Sequence, residues 1–79
     1  MSQQDSLKAQ IQSLIPQLHG YSLARVRNTE AAEELVADTL ATAYAHIDKI
    51  NPLMTLQDWL FSILHSRFLV RLANRNAVA

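Results

Sequence analysis

Residues 55–75, TLQDWLFSILHSRFLVRLANR, constrain this chain more than any other stretch, because they carry an uninterrupted helical pattern with no Gly or Pro inside. Thr55 is a good N-cap. Asp58, at the N3 position, can reach back as a weaker version of the capping-box Glu. At the helical spacing, Leu56, Trp59, Leu60, Phe61, Ile63, Leu64, Phe68, Val70 and Leu72 cover well over half of the circumference, whereas a surface helix needs an apolar stripe only ~100° wide. This helix is therefore expected at the centre of a bundle, with other helices on two sides. Arg67, Arg71 and Arg75 recur every fourth residue and form one basic line. That line shares the azimuth of Leu60 and Leu64, so the helix is predicted to outrun its bundle and carry a basic end into solvent.

Two helices are predicted before it. The first begins near Leu7 and repeats apolar residues at Ile11, Leu14, Leu18 and Tyr21. Pro16 removes a backbone donor and clashes with the preceding turn, so a kink or break is expected there. Gly20 weakens the second half. The helix should end near Arg27, with Asn28 and Thr29 forming a short connection and the next N-cap. The second runs from about 29 to 47. Glu30, Glu33 and Glu34 suit the positive end of its dipole. Its buried face is read as Ala32, Leu35, Val36, Thr39, Leu40, Ala43 and Ile47. Opposite, Ala37, Ala41 and Ala45 recur every four residues. Such a row reflects either helix propensity alone or a place where another helix or a partner comes close.

Residues 48–54 form the connecting loop, with Asn51-Pro52 as its turn signal. Ile50, Leu53 and Met54 make it unusually apolar, and some of them are expected to tuck under the bundle. The polar residues 1–5 are expected to fray, and the tail 76–79 to be disordered. The predicted fold is all-α: a compact bundle of three main helices, the first broken near Pro16, in one domain covering 1–79 and ordered from about 6 to 75. Its core should include Leu14, Leu18, Leu35, Val36, Leu40, Leu60, Ile63 and Leu64.

Composition narrows the function by exclusion. The chain has 79 residues and no Cys, so thiolate metal sites and disulfides are absent. His19, His46 and His65 lack metal-ligand spacing. The serines have no nucleophile elbow, and a single Gly gives no phosphate-cradling loop. No catalytic residue, metal, cofactor or small-molecule substrate is predicted, and the chain reads as a binding module. There is no signal peptide and no run of ~18 apolar residues, so a cytoplasmic location without a membrane span is expected. Formal net charge is zero, which disfavours bulk electrostatic attraction to nucleic acid. The charges are nevertheless segregated. From Glu30 to Asp58 there are six acids and one base, Lys49; after Asp58 there are three arginines and no acid.

The segments AAEELVADTLATAYAHIDKI and LQDWLFSILHSRFLVRLANR, with LIPQLHGY upstream, resemble the promoter-melting domain, region two, of extracytoplasmic-function sigma factors. The similarity covers about residues 12–75. Its most specific pieces are Glu33-Glu34-Leu35-Val36 with Asp38-Thr39-Leu40, and Trp59-Leu60-Phe61 with Ile63-Leu64 and Arg67-Phe68. The Arg67-Phe68 pair is similar to the alphaproteobacterial general-stress-response branch. The resemblance implies a transcription-initiation domain whose second helix docks on the β′ clamp of core RNA polymerase. It also implies that the last helix and preceding loop bind the non-template strand of the −10 promoter element. Carried onto this sequence, the protein-contact set is Glu34, Ala37, Asp38, Ala41, Thr42 and Ala45. The DNA set is Asn51, Trp59, Ser62, Ser66, Arg67, Arg71 and Arg75, with Trp59 and Phe61 offering rings for unstacked bases and the arginines a cationic track.

Several positions depart from the family pattern. Ala37, Thr42 and Ala45 stand where Gln, Arg and Arg are common; Ser66 and Val70 replace Asn and Asp; His19 and Gly20 replace basic residues. Each change removes a charge or a hydrogen-bonding group. The family's helix-turn-helix domain is not among these 79 residues. A second reading follows: a sigma mimic that captures an anti-sigma factor by partner switching, without binding DNA. A coding sequence ending at Ala79 would favour the mimic, and one continuing into a helix-turn-helix would favour the sigma factor.

Overall fold

The computed structural model describes residues 3–77, with side chains described for 5–75. Three α-helices, α1 (Gln3–Val26), α2 (Thr29–Ala45) and α3 (Leu56–Ala77), and one 3₁₀ turn, Ile47–Lys49, make up the regular structure, and no strand occurs among the described residues. The predicted all-α bundle is what forms.

The α1–α2 corner is two residues long. The Arg27 amide donates to the Leu23 carbonyl at 2.8 Å, and Arg27 itself turns left-handed, with φ 55°. Asn28 returns to extended geometry, and its Oδ1 accepts from the Ala31 amide at 2.9 Å, which caps α2. Two residues leave no room for a wide crossing, so α1 and α2 run back along each other as an αα-hairpin. The predicted cap of α3 is present: Thr55 Oγ1 accepts from the Asp58 amide at 3.0 Å.

Three expectations are corrected. The first helix is not broken near Pro16; α1 is continuous through it. Pro16 and Gln12, whose carbonyl loses its usual donor, are both exposed, so the unpaired carbonyl is not sealed away from solvent. Ile11 and Leu18, fully buried on either side of Pro16, pin both halves to the same core. Second, α1 begins at Gln3, within the residues expected to fray, and α3 extends to Ala77, within the expected tail; residues 1–2 and 78–79 lie outside the described residues. Third, the hub of the bundle is α2, which makes the main contacts with both α1 and α3. It is the better hub because its inward residues include Ala32, Thr39 and Ala43, small enough for close approach on two sides.

The core joins Ile11 and Leu18 of α1, Leu35, Val36 and Ala43 of α2, Ile47 of the 3₁₀ turn, and Trp59, Leu60 and Leu64 of α3. Leu14, Leu40 and Ile63, also predicted there, pack against it while partly exposed. Burying each large aliphatic side chain contributes about 1.5–3 kcal/mol. On α3 full burial stops at Leu64, Phe68 still packs against the core, and Leu69, Val70 and Leu72 are partly in solvent. The helix leaves the core after Phe68 but stays alongside α2 as far as Arg71.

Candidate functional site

α2 and α3 run antiparallel, and the predicted protein-contact and DNA surfaces meet along their seam. Arg67 Nε donates to Asp38 Oδ2 at 2.9 Å. One turn further along α3, Arg71 Nη1 reaches Glu34 Oε2 at 3.5 Å. Residues four apart occupy one helical stripe, so two antiparallel stripes of opposite sign come into register as a ladder. The next rung would set Glu30 opposite Arg75. Both line the open groove bounded by the end of α1, the start of α2 and the end of α3, yet no ion pair joins them among the described residues. The arginines are thus not a free basic end. Two of them are held by acids of α2.

The rest of the protein-contact set lies beside this ladder. Ala37, Ala41 and Ala45 are exposed and form a smooth strip along α2. Thr42 is half-buried, and its hydroxyl is committed to the Asp38 carbonyl at 2.9 Å. Glu34, Asp38 and the alanine strip therefore form one continuous surface.

The DNA set does not come together on one face. Ser62 and Ser66 are exposed, but they sit about 140° around α3 from Arg67 and Arg71 at ~100° per residue. Asn51 lies in the loop, where its Oδ1 accepts from the Leu53 amide at 2.9 Å and its carbonyl accepts from the Met54 amide at 3.1 Å. Trp59 is only 8% exposed and belongs to the core, so it offers no open ring face for a base. Its neighbours Leu60 and Leu64 are fully buried, and the same inward packing that shields them takes the indole with it. Phe61 is half-buried, its ring edge-to-face with Tyr21.

Leu53 was missed as a candidate. Ile50 and Met54 tuck against the core as expected, but Leu53 is 93% exposed at the loop tip, held there by the Asn51 bonds. The ion-pair ladder was also legible in principle. Glu30, Glu34 and Asp38 repeat every four residues on one predicted helix, and Arg67, Arg71 and Arg75 do so on the next. Two stripes of matched period and opposite sign are a pairing signal.

Among the described residues no group of His, Asp or Glu is arranged to hold a metal ion, and no helix is long and apolar enough to cross a membrane. The exposed surface along α2 and α3 carries a small-residue strip, a row of carboxylates and guanidiniums, and an exposed loop leucine.

Comparison with known proteins agrees with the geometry. The family model for sigma-70 region 2 matches residues 10–78. The chain is 38% identical over 64 residues to an ECF RNA polymerase sigma factor, EcfG, of Rhodopseudomonas palustris (strain TIE-1). That match covers 81% of this chain and 35% of the relative, so the chain spans about a third of the relative's length. A helical hairpin followed by a capped helix, matched over nearly its full length, this chain belongs to the sigma-70 region 2 family.

Proposed function

We propose that this sigma-factor-type domain binds core RNA polymerase through the exposed face of α2 and engages the non-template strand of the −10 element through the loop 48–54 and α3. The observation that carries the reading is the continuous surface of Glu34, Ala37, Asp38, Ala41, Thr42 and Ala45. It is smooth enough for a helical partner to approach closely and carries two carboxylates to fix its register. On the DNA side, the apolar contact for an unstacked base passes from the buried Trp59 to the exposed Leu53, and Arg67, Arg71 and Arg75 supply the phosphate track. The domain works at the start of transcription and takes no small-molecule substrate.

A second reading, the sigma mimic that binds an anti-sigma factor, is favoured by one specific observation. Arg67 and Arg71 are already paired within the chain, which lowers the charge available to DNA but leaves the α2 face open to a protein.

Ala41→Arg tests the shared element of both readings. Ala41 is exposed, so folding should be spared, while the added bulk and charge block docking. Pull-downs against core polymerase and against an anti-sigma factor are expected to lose one partner or both. Full capture of each by the variant would remove the α2 face from the site, and the partner lost tells the two readings apart.

A further inference from the structure

We propose that Asp38 and Glu34 act as built-in phosphate mimics, holding Arg67 and Arg71 in a masked state that a nucleic-acid strand must displace. The inference rests on the reading above that the arginine row meets phosphate.

A carboxylate oxygen 2.9 Å from a guanidinium Nε offers the same charge-assisted acceptor as a phosphate oxygen. The two rungs differ in strength. Arg67 and Asp38 are both part-buried, with side chains 35% and 27% exposed. Arg71 and Glu34 meet at the long distance of 3.5 Å, and Glu34 is 60% exposed. Arg71 Nε, moreover, is buried with no partner. Glu34 thus satisfies only part of the Arg71 guanidinium. An oxyanion with several acceptor oxygens can engage more of the accessible Nη donors than the single Glu34 oxygen does.

The mask is displaceable. An exposed or half-exposed ion pair shifts an equilibrium by a factor of only about 1.4 to 5. Arg75, one turn further, has no ion-pair partner among the described residues and is exposed, so it gives an incoming strand its first hold. From there the strand takes Arg71 from its long contact before reaching the tighter Arg67. The acids of α2 therefore set the affinity of α3 for nucleic acid, and neutralising them on α2 should be felt on α3.

The test is fluorescence anisotropy of a labelled single-stranded DNA, titrated at several salt concentrations with four proteins. They are the unmodified chain, Glu34→Gln with Asp38→Asn, the charge-matched control Asp5→Asn with Glu33→Gln, and Arg67→Gln with Arg71→Gln. Releasing both arginines should tighten binding about 2- to 30-fold. The salt slope should change little, because the bound strand meets the same two arginines in both proteins. The control should tighten binding clearly less than the ladder variant, and the arginine variant should bind less tightly than the unmodified chain. If the ladder variant is no tighter than the control while the unmodified chain binds, the mask is overturned and the DNA reading stands. Silence from every protein overturns both. Should circular dichroism show the double variant unfolded, Glu34→Gln alone, at the exposed rung, carries the test with a gain in affinity of about 1.4- to 5-fold.

Discussion

The ring of Tyr21 stands edge-on to the ring of Phe61, centroids 5.3 Å apart and planes at 83°, and this pair joins α1 to α3. Arg25 lies 4.9 Å over the outer face of Tyr21, and its Nη2 donates to the Tyr21 hydroxyl at 2.8 Å. The edge-to-face geometry places the positive ring edge on the negative face of its neighbour, which adds about 0.5–1.5 kcal/mol beyond area burial. A double-mutant cycle of Tyr21→Leu and Phe61→Leu, read by chemical denaturation, is expected to give a coupling energy in that range. Strict additivity would mean that the rings merely fill space.

Arg27 is a stability reserve. It closes α1 in the left-handed region, with φ 55°, where an L side chain is strained by roughly 1–2 kcal/mol and helices commonly place Gly. Part of that gain is lost because Gly is more flexible in the unfolded chain. Arg27→Gly should therefore raise stability by about 0.5–1 kcal/mol, whereas Arg27→Val should lower it. Equal midpoints for the two variants in urea would show that the turn carries no strain.

Ser22 is fully buried in α1 and its Oγ has no hydrogen-bond partner. The contrast is Thr39, also fully buried, which donates to the Leu35 carbonyl at 2.8 Å. An unpaired buried hydroxyl costs about 1–3 kcal/mol. Ser22→Ala removes the cost with almost no change in volume and improves helix propensity, so it should melt higher than the unmodified chain. A lower melting temperature would show that the hydroxyl does find a partner in solution.

Most of the fold was legible because burial in this chain follows the helical period closely. The inward face of α2, from Ala32 to Ala43, was readable residue by residue, and so was the Thr55 cap. What escaped the reading depends on how helices meet, which periodicity does not encode. Pro16 looked like a break because its local cost is real; the packing of Ile11 and Leu18 that offsets it is tertiary. Trp59 enters the DNA set through the family resemblance; whether its ring is open to a base depends on how its neighbours cover it. The arginine line looked free because α3 alone shows no acid near it. Only the antiparallel register with α2 brings Asp38 and Glu34 across.

The end of the core on α3 can be located by two substitutions of the same chemical kind. Leu60 is fully buried against α2 and α1, while Leu69, just over two turns later, is 49% exposed. Leu→Ala in a packed core loses transfer free energy and leaves a cavity, together about 2–5 kcal/mol. A domain of this size has little stability to spare, so Leu60→Ala should unfold near ambient temperature or fail to fold. At Leu69 no enclosed cavity forms, and Ala is the stronger helix former, so the change should stay within about 0.5 kcal/mol. Thermal melts followed by circular dichroism read both variants directly. Comparable losses at the two sites would mean that the Leu69 face of α3 is covered, and a small loss at Leu60 would contradict its position in the core.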